Sequence, residues 1–113
     1  MSESAEVPRE APDLTLIPAR SAVLAGGQEV ILTPTQFRLL AVLLGEPGRA
    51  FTRAELVERG IGGLVTERTV DVHVKELRRR LGEWGPRVVA VRGVGYRYQA
   101  PAGQAVHQQP GRP

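Results

Sequence analysis

The segment from Val89 to Gln99, VAVRGVGYRYQ, restricts the fold more than any other part of the sequence. Apolar and aromatic residues alternate on both sides of a central RGVG, and a period of two is typical of β-strands. Gly93 and Gly95 allow positive φ, which a tight turn needs. The segment therefore predicts a β-hairpin with a narrow tip that carries Arg92.

Composition is compatible with one folded domain of about 100 residues. The chain has 113 residues, of which 42% are hydrophobic and 24% charged, and it lacks cysteine. The sequence contains no nucleophile–base pair that would predict an enzyme. It also contains no ligand cluster that would predict a cofactor or a metal site. No apolar run approaches the roughly 18 residues of a membrane span. We expect a cytoplasmic protein with its domain at residues 14–100 and disordered tails at 1–13 and 101–113.

Charge is distributed unevenly along the chain. Residues 1–67 contain six arginines and nine acidic residues, a net charge of −3. Residues 68–97 contain eight basic and three acidic residues, a net charge of +5. A basic segment beside a mildly acidic remainder indicates either a surface for a polyanion or a solvated charged face.

The region before residue 33 has the pattern of a small antiparallel sheet. Three short apolar pieces, LTLI, SAVL and QEVIL, are separated by residues 18–20 and by Ala25, Gly26 and Gly27. The Gly-Gly pair favours a two-residue hairpin turn.

Two helices are predicted from their N-terminal signals. Thr33, Pro34 and Gln36 form a cap, a first-position proline and a capping-box partner. The helix that follows has an apolar stripe and ends before Gly45; the stripe is Phe37, Leu40, Ala41 and Leu44. Thr52 and Glu55 repeat the capping box, and their helix is predicted to run to about Glu58, with apolar contacts from Ala54, Leu56 and Val57.

A third helix is predicted to begin near residues 66–68, with Thr66 as its cap, and to stop at Gly82. Its buried stripe is Val70, Val74, Leu77 and Leu81. At about 100° per residue, the opposite face presents three cations around one aliphatic residue and one acid. These outer-face residues are Arg68, Val72, Lys75, Glu76 and Arg79.

This outer face suits the major groove of DNA. Arginine and lysine reach guanine O6/N7 or phosphates, and a valine side chain can meet a thymine methyl. Two interpretations of Glu76 are open. Its carboxylate accepts a hydrogen bond from cytosine N4, or it repels phosphate and lowers the affinity for DNA. A solvated amphipathic helix is the alternative for the whole face.

The three helices and the hairpin together predict a helix-turn-helix with a wing. Arg92 at the hairpin tip suits a narrow, AT-rich minor groove, and Arg97 suits phosphates. The GxG of the tip does not predict nucleotide binding, because a strand and not a helix follows it.

Four segments in this order resemble the winged-helix effector domain of the OmpR/PhoB family of bacterial response regulators, the output half of two-component systems. They are LTPTQFRLL at 32–40, FTRAEL at 51–56, ERTVDVHVKELRRRLG at 67–82 and VAVRGVGYRY at 89–98. The resemblance covers roughly residues 14–99. It implies an α+β winged helix with an N-terminal four-stranded antiparallel sheet, three helices and a C-terminal hairpin.

The resemblance also implies roles for individual residues. The DNA-binding residues would be Arg68, Thr69, Val72, His73, Lys75, Glu76, Arg79, Arg92, Tyr96 and Arg97. The resemblance further implies that two copies bind head-to-tail on tandem direct repeats of double-stranded DNA. The loop before the third helix would contact RNA polymerase, through Arg59, Ile61, Leu64 and Glu67. Glu76 departs from the family, which often has a basic residue at its position.

The sequence thus predicts a regulator of transcription that binds double-stranded DNA sequence-specifically. The alternative is a winged helix that contacts an acidic protein partner. Because no receiver domain precedes the sheet, the chain is either a stand-alone regulator or an excised effector domain. Asp71 is expected to pair with a neighbouring cation, and Trp84 is expected to pack under the wing.

Overall fold

The computed structural model describes residues 14–61 and 66–100. The tails predicted at 1–13 and 101–113 lie outside these ranges. In the described part, a three-stranded antiparallel sheet is followed by three helices and a C-terminal hairpin, and a short strand between the first two helices joins the hairpin in a second sheet. This order confirms the predicted α+β winged helix. None of the described helices is long and apolar enough to cross a membrane.

The first sheet has three strands in the order β1 (Leu14–Ile17), β2 (Ala22–Ala25) and β3 (Gln28–Ile31). Ala25 pairs with Gln28, so Gly26 and Gly27 form the two-residue turn, with φ of 57° and 87°. The predicted Gly-Gly hairpin is therefore confirmed. The described chain has three strands in this sheet, where the resemblance implied four.

Helix α1 (Pro34–Gly45) begins with the predicted capping box. Thr33 Oγ1 accepts from the Gln36 amide at 3.1 Å, and Gln36 Oε1 accepts from the Thr33 amide at 3.0 Å. These two bonds satisfy amides that the first turn leaves without helical partners.

The predicted core stripe of α1 was wrong in its phase. The fully buried leucines are Leu39, Leu40 and Leu43, while Phe37 and Leu44 are only partly buried at the edge of the core. Almost every position from 37 to 44 is apolar, so periodicity alone could not fix which face turns inward. Burying each of the three leucines stabilises the fold by roughly 1.5–3 kcal/mol at most.

The second helix follows its predicted start but ends earlier than predicted. Strand β4 (Phe51–Thr52) leads directly into α2 (Arg53–Leu56), capped by Thr52 and Glu55 as predicted. The chain then widens into one π-type turn at Val57–Ile61, so the regular α-helix ends two residues before Glu58. Of the predicted apolar contacts, Leu56 is buried, Val57 is partly buried and Ala54 is exposed.

Helix α3 (Glu67–Leu81) is the longest element of the described chain. Its predicted stripe is confirmed, because Val70, Val74, Leu77 and Leu81 are all buried. The helix ends at Gly82, whose φ is 61°. A 3₁₀ segment follows at Gly82–Arg87.

Trp84 packs against the turn of the first sheet and against the core. A Cβ at Gly26 would lie 3.2 Å from the Trp84 indole nitrogen, so the indole contacts the β2–β3 turn.

The second sheet joins β4 to the wing hairpin, formed by β5 (Val88–Val91) and β6 (Gly95–Tyr98), in the order β4-β6-β5. Gly93 has a φ of 78°, as the predicted tight tip requires. Gly95 does not have positive φ. Glycine is needed there because a Cβ would lie 2.0 Å from the Phe51 carbonyl oxygen, so only glycine lets β4 approach β6.

Candidate nucleic-acid interface

The outer face of α3 is the most exposed cationic surface of the helix. Arg68 and Lys75 are exposed, and the Arg79 side chain retains 71% of its accessible surface. Val72 lies among them and is 58% exposed, more than any other large apolar residue described. A helix that buries one stripe and exposes a ridge of cations around an aliphatic residue has the chemistry of a major-groove reader.

The basic run Arg78–Arg80 divides between the interface and the body of the domain. Arg78 Nε donates to the Val88 carbonyl at 2.9 Å, and Arg80 Nε donates to the Ile31 carbonyl at 3.2 Å. Only Arg79 of the three points along the outer face, where it contacts Glu76 Oε1 at 3.3 Å. Two of the three charges therefore tie α3 to the two sheets.

Two further predicted interface residues lie beside the ridge. Thr69 is exposed, and its Oγ1 accepts from the Thr66 amide at 3.2 Å and donates to the Thr66 carbonyl at 2.9 Å. Its hydroxyl thus completes the predicted N-terminal cap of α3. His73 is half-buried on the flank of the helix.

The wing tip is exposed and positively charged. Arg92 and Gly93 are exposed, and Val94 is 37% exposed. The Val94 amide donates to the Val91 carbonyl at 2.9 Å, which closes the turn. Arg97 pairs with Val89 across the hairpin, on the face opposite Tyr96, and is half-buried.

Tyr96 is the predicted site residue whose position differs most from expectation. The resemblance placed it at the DNA backbone, but its side chain is buried and only 7% of the residue is exposed. Its hydroxyl donates to Asp71 Oδ1 at 2.6 Å. The same oxygen accepts from Arg53 Nε at 2.9 Å, which confirms that Asp71 pairs with a neighbouring cation.

These contacts shift the ionisation of all three groups. The hydrogen bonds from Tyr96 and then from Arg53 lower the pKa of Asp71. Burial and then the hydrogen bond to Asp71 raise the pKa of Tyr96. The hydrogen bond to Asp71 raises the pKa of Arg53. Asp71 is thus an ionised carboxylate at neutral pH, and Tyr96 is a neutral phenol.

The loop expected to contact polymerase is only partly described. Arg59 and Glu67 are exposed at its two ends, and the Arg59 guanidinium carbon lies 5.7 Å from the centre of the Phe51 ring. Leu64 and the side chain of Ile61 lie outside the described part of the chain.

Sequence reasoning missed the structural role of Arg53. It lies 18 residues before Asp71, and no short-range spacing connects the two. The available signal was the pair of unmatched charges, an acid near the start of a basic helix and an arginine just inside the preceding helix.

Comparison with known proteins identifies the family. Residues 27–98 match the family model described as "Transcriptional regulatory protein, C terminal". The phosphate regulon transcriptional regulatory protein PhoB of Pseudomonas aeruginosa is 42% identical over 96 residues, covering 82% of this chain and 42% of that protein. The chain belongs to this OmpR/PhoB-type winged-helix family.

Other relatives within the family agree with this assignment. The transcriptional regulatory protein BaeR of Escherichia coli is 43% identical over 81 residues, covering 67% of this chain and 34% of BaeR. The chain spans less than half the length of these relatives.

Solved structures of the family share the fold. The DNA-binding domain of response regulator AdeR, in complex with an intercistronic region, superposes with a TM-score of 0.70 at 32% identity, covering 80% of this chain and 98% of that one. The Klebsiella pneumoniae RstA DNA-binding domain, in complex with an RstA box, gives a TM-score of 0.64 at 30% identity, covering 77% and 91%.

Proposed function

We propose that this chain binds double-stranded DNA sequence-specifically and regulates transcription. In this proposal the outer face of α3 lies in the major groove and the wing tip lies in the adjacent minor groove. The supporting observation is the pairing of two exposed cationic features on connected elements: the α3 ridge, and a wing whose strand β6 contacts α3 through Tyr96 and Asp71. Relatives solved with DNA support the same assignment.

On the major-groove side, we assign base or phosphate contacts to the cations and an apolar contact to Val72. Arg68, Lys75 and Arg79 can donate to guanine O6/N7 or to phosphate oxygens. Val72 has the size and exposure to meet a thymine methyl. Thr69 and His73 lie at the edge of this surface, where phosphate contacts are the more accessible.

Glu76 is either a reader of cytosine N4 or a charge that repels phosphate. Its contact with Arg79 is compatible with both interpretations. The arginine offsets part of the negative charge, and one carboxylate oxygen stays available to accept a hydrogen bond. The carboxylate side chain is 44% exposed, so a base edge can reach it.

On the minor-groove side, we assign Arg92 to the groove and Arg97 to the backbone. Narrow AT-rich minor grooves have an enhanced negative potential that attracts an inserted arginine. The tip that carries Arg92 holds only Gly93 and Val94 besides, so nothing bulky hinders entry.

Assembly and further partners extend the proposal. A single small module buries only about 600–1,000 Å² of protein surface on DNA. We therefore propose that two copies bind head-to-tail on a direct repeat. We also propose that the loop bounded by Arg59 and Glu67 can contact RNA polymerase, and that the protein acts in the bacterial cytoplasm at the nucleoid.

A salt titration tests the proposal against the alternative of an acidic protein partner. A duplex selected from a random pool by the wild-type chain is compared with a scrambled duplex of equal length. DNA recognition predicts a linear fall of log K with log salt, about −0.9 per neutralised phosphate, and a specific affinity at least about 10³-fold above the scrambled duplex. A protein-contact module would give no preference between the duplexes.

A further inference from the structure

Three side chains hold the base of the wing against α3, and we call them the wing bracket: Arg53, Asp71 and Tyr96. Each comes from a different element, namely α2, α3 and β6. Arg53 Nε and the Tyr96 hydroxyl both donate to Asp71 Oδ1, at 2.9 and 2.6 Å. The Arg53 guanidinium carbon also lies 5.5 Å from the centre of the Tyr96 ring, so the three groups contact one another pairwise.

The Tyr96 hydroxyl is directed into the protein and away from a DNA phosphate. A phenol carries one proton to donate, and Asp71 receives it. Phosphate oxygens only accept hydrogen bonds, so this hydroxyl cannot donate to both partners at once. In this geometry, Tyr96 therefore contributes to DNA binding indirectly, through the residues that it holds in place.

A second contact attaches the wing to α3 farther along the helix. Arg78 Nε donates to the carbonyl oxygen of Val88, the first residue of β5. Arg78 follows Asp71 by seven residues, or about 10 Å of helix. Two attachments at separate points fix both the distance and the direction of the hairpin relative to α3.

We propose that the wing bracket consists of positioning residues for DNA recognition, which hold Arg92 and the outer face of α3 in the relative orientation that two adjacent grooves require. This inference rests on the proposed DNA-binding function. Fixing this orientation before binding avoids ordering the wing on the DNA, a cost that would otherwise reduce affinity.

The bracket acts on specific binding more than on non-specific binding. Base readout requires side chains placed within about 0.5 Å of the productive geometry. Non-specific binding requires only cations near phosphates, and a loosened wing still provides them. Loss of the bracket should therefore reduce the preference for the selected duplex over the scrambled one.

Two nearly isosteric variants test this inference. Tyr96→Phe removes only the hydroxyl, and Asp71→Asn removes the charge while keeping the shape. Glu29→Gln is the matched control, because it makes the same carboxylate-to-amide change in an ion pair with Arg20, on the first sheet. Affinities are measured at one salt concentration and well below the unfolding temperature of each variant.

Tyr96→Phe and Asp71→Asn should each lower the ratio of specific to non-specific affinity roughly three- to tenfold, while Glu29→Gln leaves it unchanged. Asp71→Asn should not weaken binding to the scrambled duplex, since it removes a negative charge from the helix. An equal loss on both duplexes after Tyr96→Phe would show a direct phosphate contact and overturn the inference. An unchanged ratio would overturn it as well.

A double substitution supplies an independent readout. With the bracket intact, Arg92→Ala should weaken binding to the selected duplex; in the Tyr96→Phe background the same change should cost less, because the wing is already misplaced. Equal costs in the two backgrounds would contradict the inference. If Tyr96→Phe fails to fold, Asp71→Asn serves as the background. A wild-type chain with no sequence preference would refute the proposed function itself, and that result appears before any substitution is made.

Discussion

The two glycine-turned hairpins of this domain are built alike and have different environments. Both join four-residue strands, and both use a glycine at positive φ in the turn. The tip of the β2–β3 hairpin packs against Trp84, and Arg20 beside that sheet pairs with Glu29 at 2.7 Å. The wing tip is exposed and carries Arg92.

This difference shows that the glycines of a turn determine whether a hairpin forms. They do not determine whether its tip is covered by the protein or left exposed. The indole that covers the first tip comes from a segment nearly sixty residues later in the chain. The wing is instead held at its base, where β6 pairs with β4 and hydrogen bonds join the hairpin to Asp71 and Arg78. A hairpin supported at its base and exposed at its tip is suited to enter a groove.

The largest expected effect is on the stability of the contact between β4 and β6 at the base of the wing. Gly95→Ala should lower the free energy of unfolding by about 3 kcal/mol, because the added methyl collides with the Phe51 carbonyl oxygen. Gly93→Ala and Gly27→Ala have open space but positive φ, so each should cost about 1 kcal/mol. Urea denaturation measures all three. Equal costs for Gly95 and Gly93 would mean that the close approach of β4 and β6 is not what requires glycine.

The next effect concerns the α3 ridge. Arg79→Ala should weaken binding to the selected duplex by roughly 1–3 kcal/mol and relax the preference at one base pair. Arg80→Ala is the control, because the neighbouring arginine is engaged with the Ile31 carbonyl. Binding to single-base variants of the duplex distinguishes the cases. A uniform loss on all variants would reassign Arg79 to phosphate.

The two hairpins can be compared directly through their arginines. Arg92→Ala should reduce affinity roughly tenfold on sites with AT-rich flanks and less on GC-rich flanks. Arg20→Ala removes an arginine beside the first hairpin and should leave both affinities unchanged. Titrations of duplexes that differ only in their flanks provide the measurement. Indifference of the Arg92 variant to flank composition would remove the minor-groove assignment.

A smaller effect decides the role of Glu76. If its carboxylate accepts from cytosine, Glu76→Gln should reduce discrimination at that base pair by about 1 kcal/mol. If it repels phosphate, the same change should strengthen binding to every duplex and steepen the salt dependence. Selection from random duplexes with the wild type and the variant separates these results.

The smallest effect is the pH dependence of the bracket. The pKa of Asp71 is lowered in the folded state by Tyr96 and Arg53, so its contribution to stability is present above the unfolded pKa and is lost as pH falls through the folded one. The stability difference between wild type and Asp71→Asn should therefore be below about 1 kcal/mol at neutral pH and vanish in acid. Denaturation at both pH values checks this; a difference that grows in acid would contradict it.

Local signals in the sequence predicted much of this structure. The capping boxes at Thr33 and Thr52, the α3 stripe and the turn at Gly93 all depend on residues within a few positions of each other. The inward face of α1 was not predictable, because that helix is apolar on nearly all sides. The bracket was not predictable either, since it joins residues 18 and 25 positions apart that meet only after folding.

Mapping the DNA-bound surface by NMR chemical shifts tests the proposed binding mode most directly. On addition of the selected duplex, amide shifts should concentrate in two groups: the outer face of α3 around Val72 and Lys75, and the wing tip around Arg92. The turn at Gly26–Gly27 should remain unchanged. Shifts centred on that turn, with the wing tip unaffected, would contradict the proposal that the exposed hairpin is the one that binds DNA.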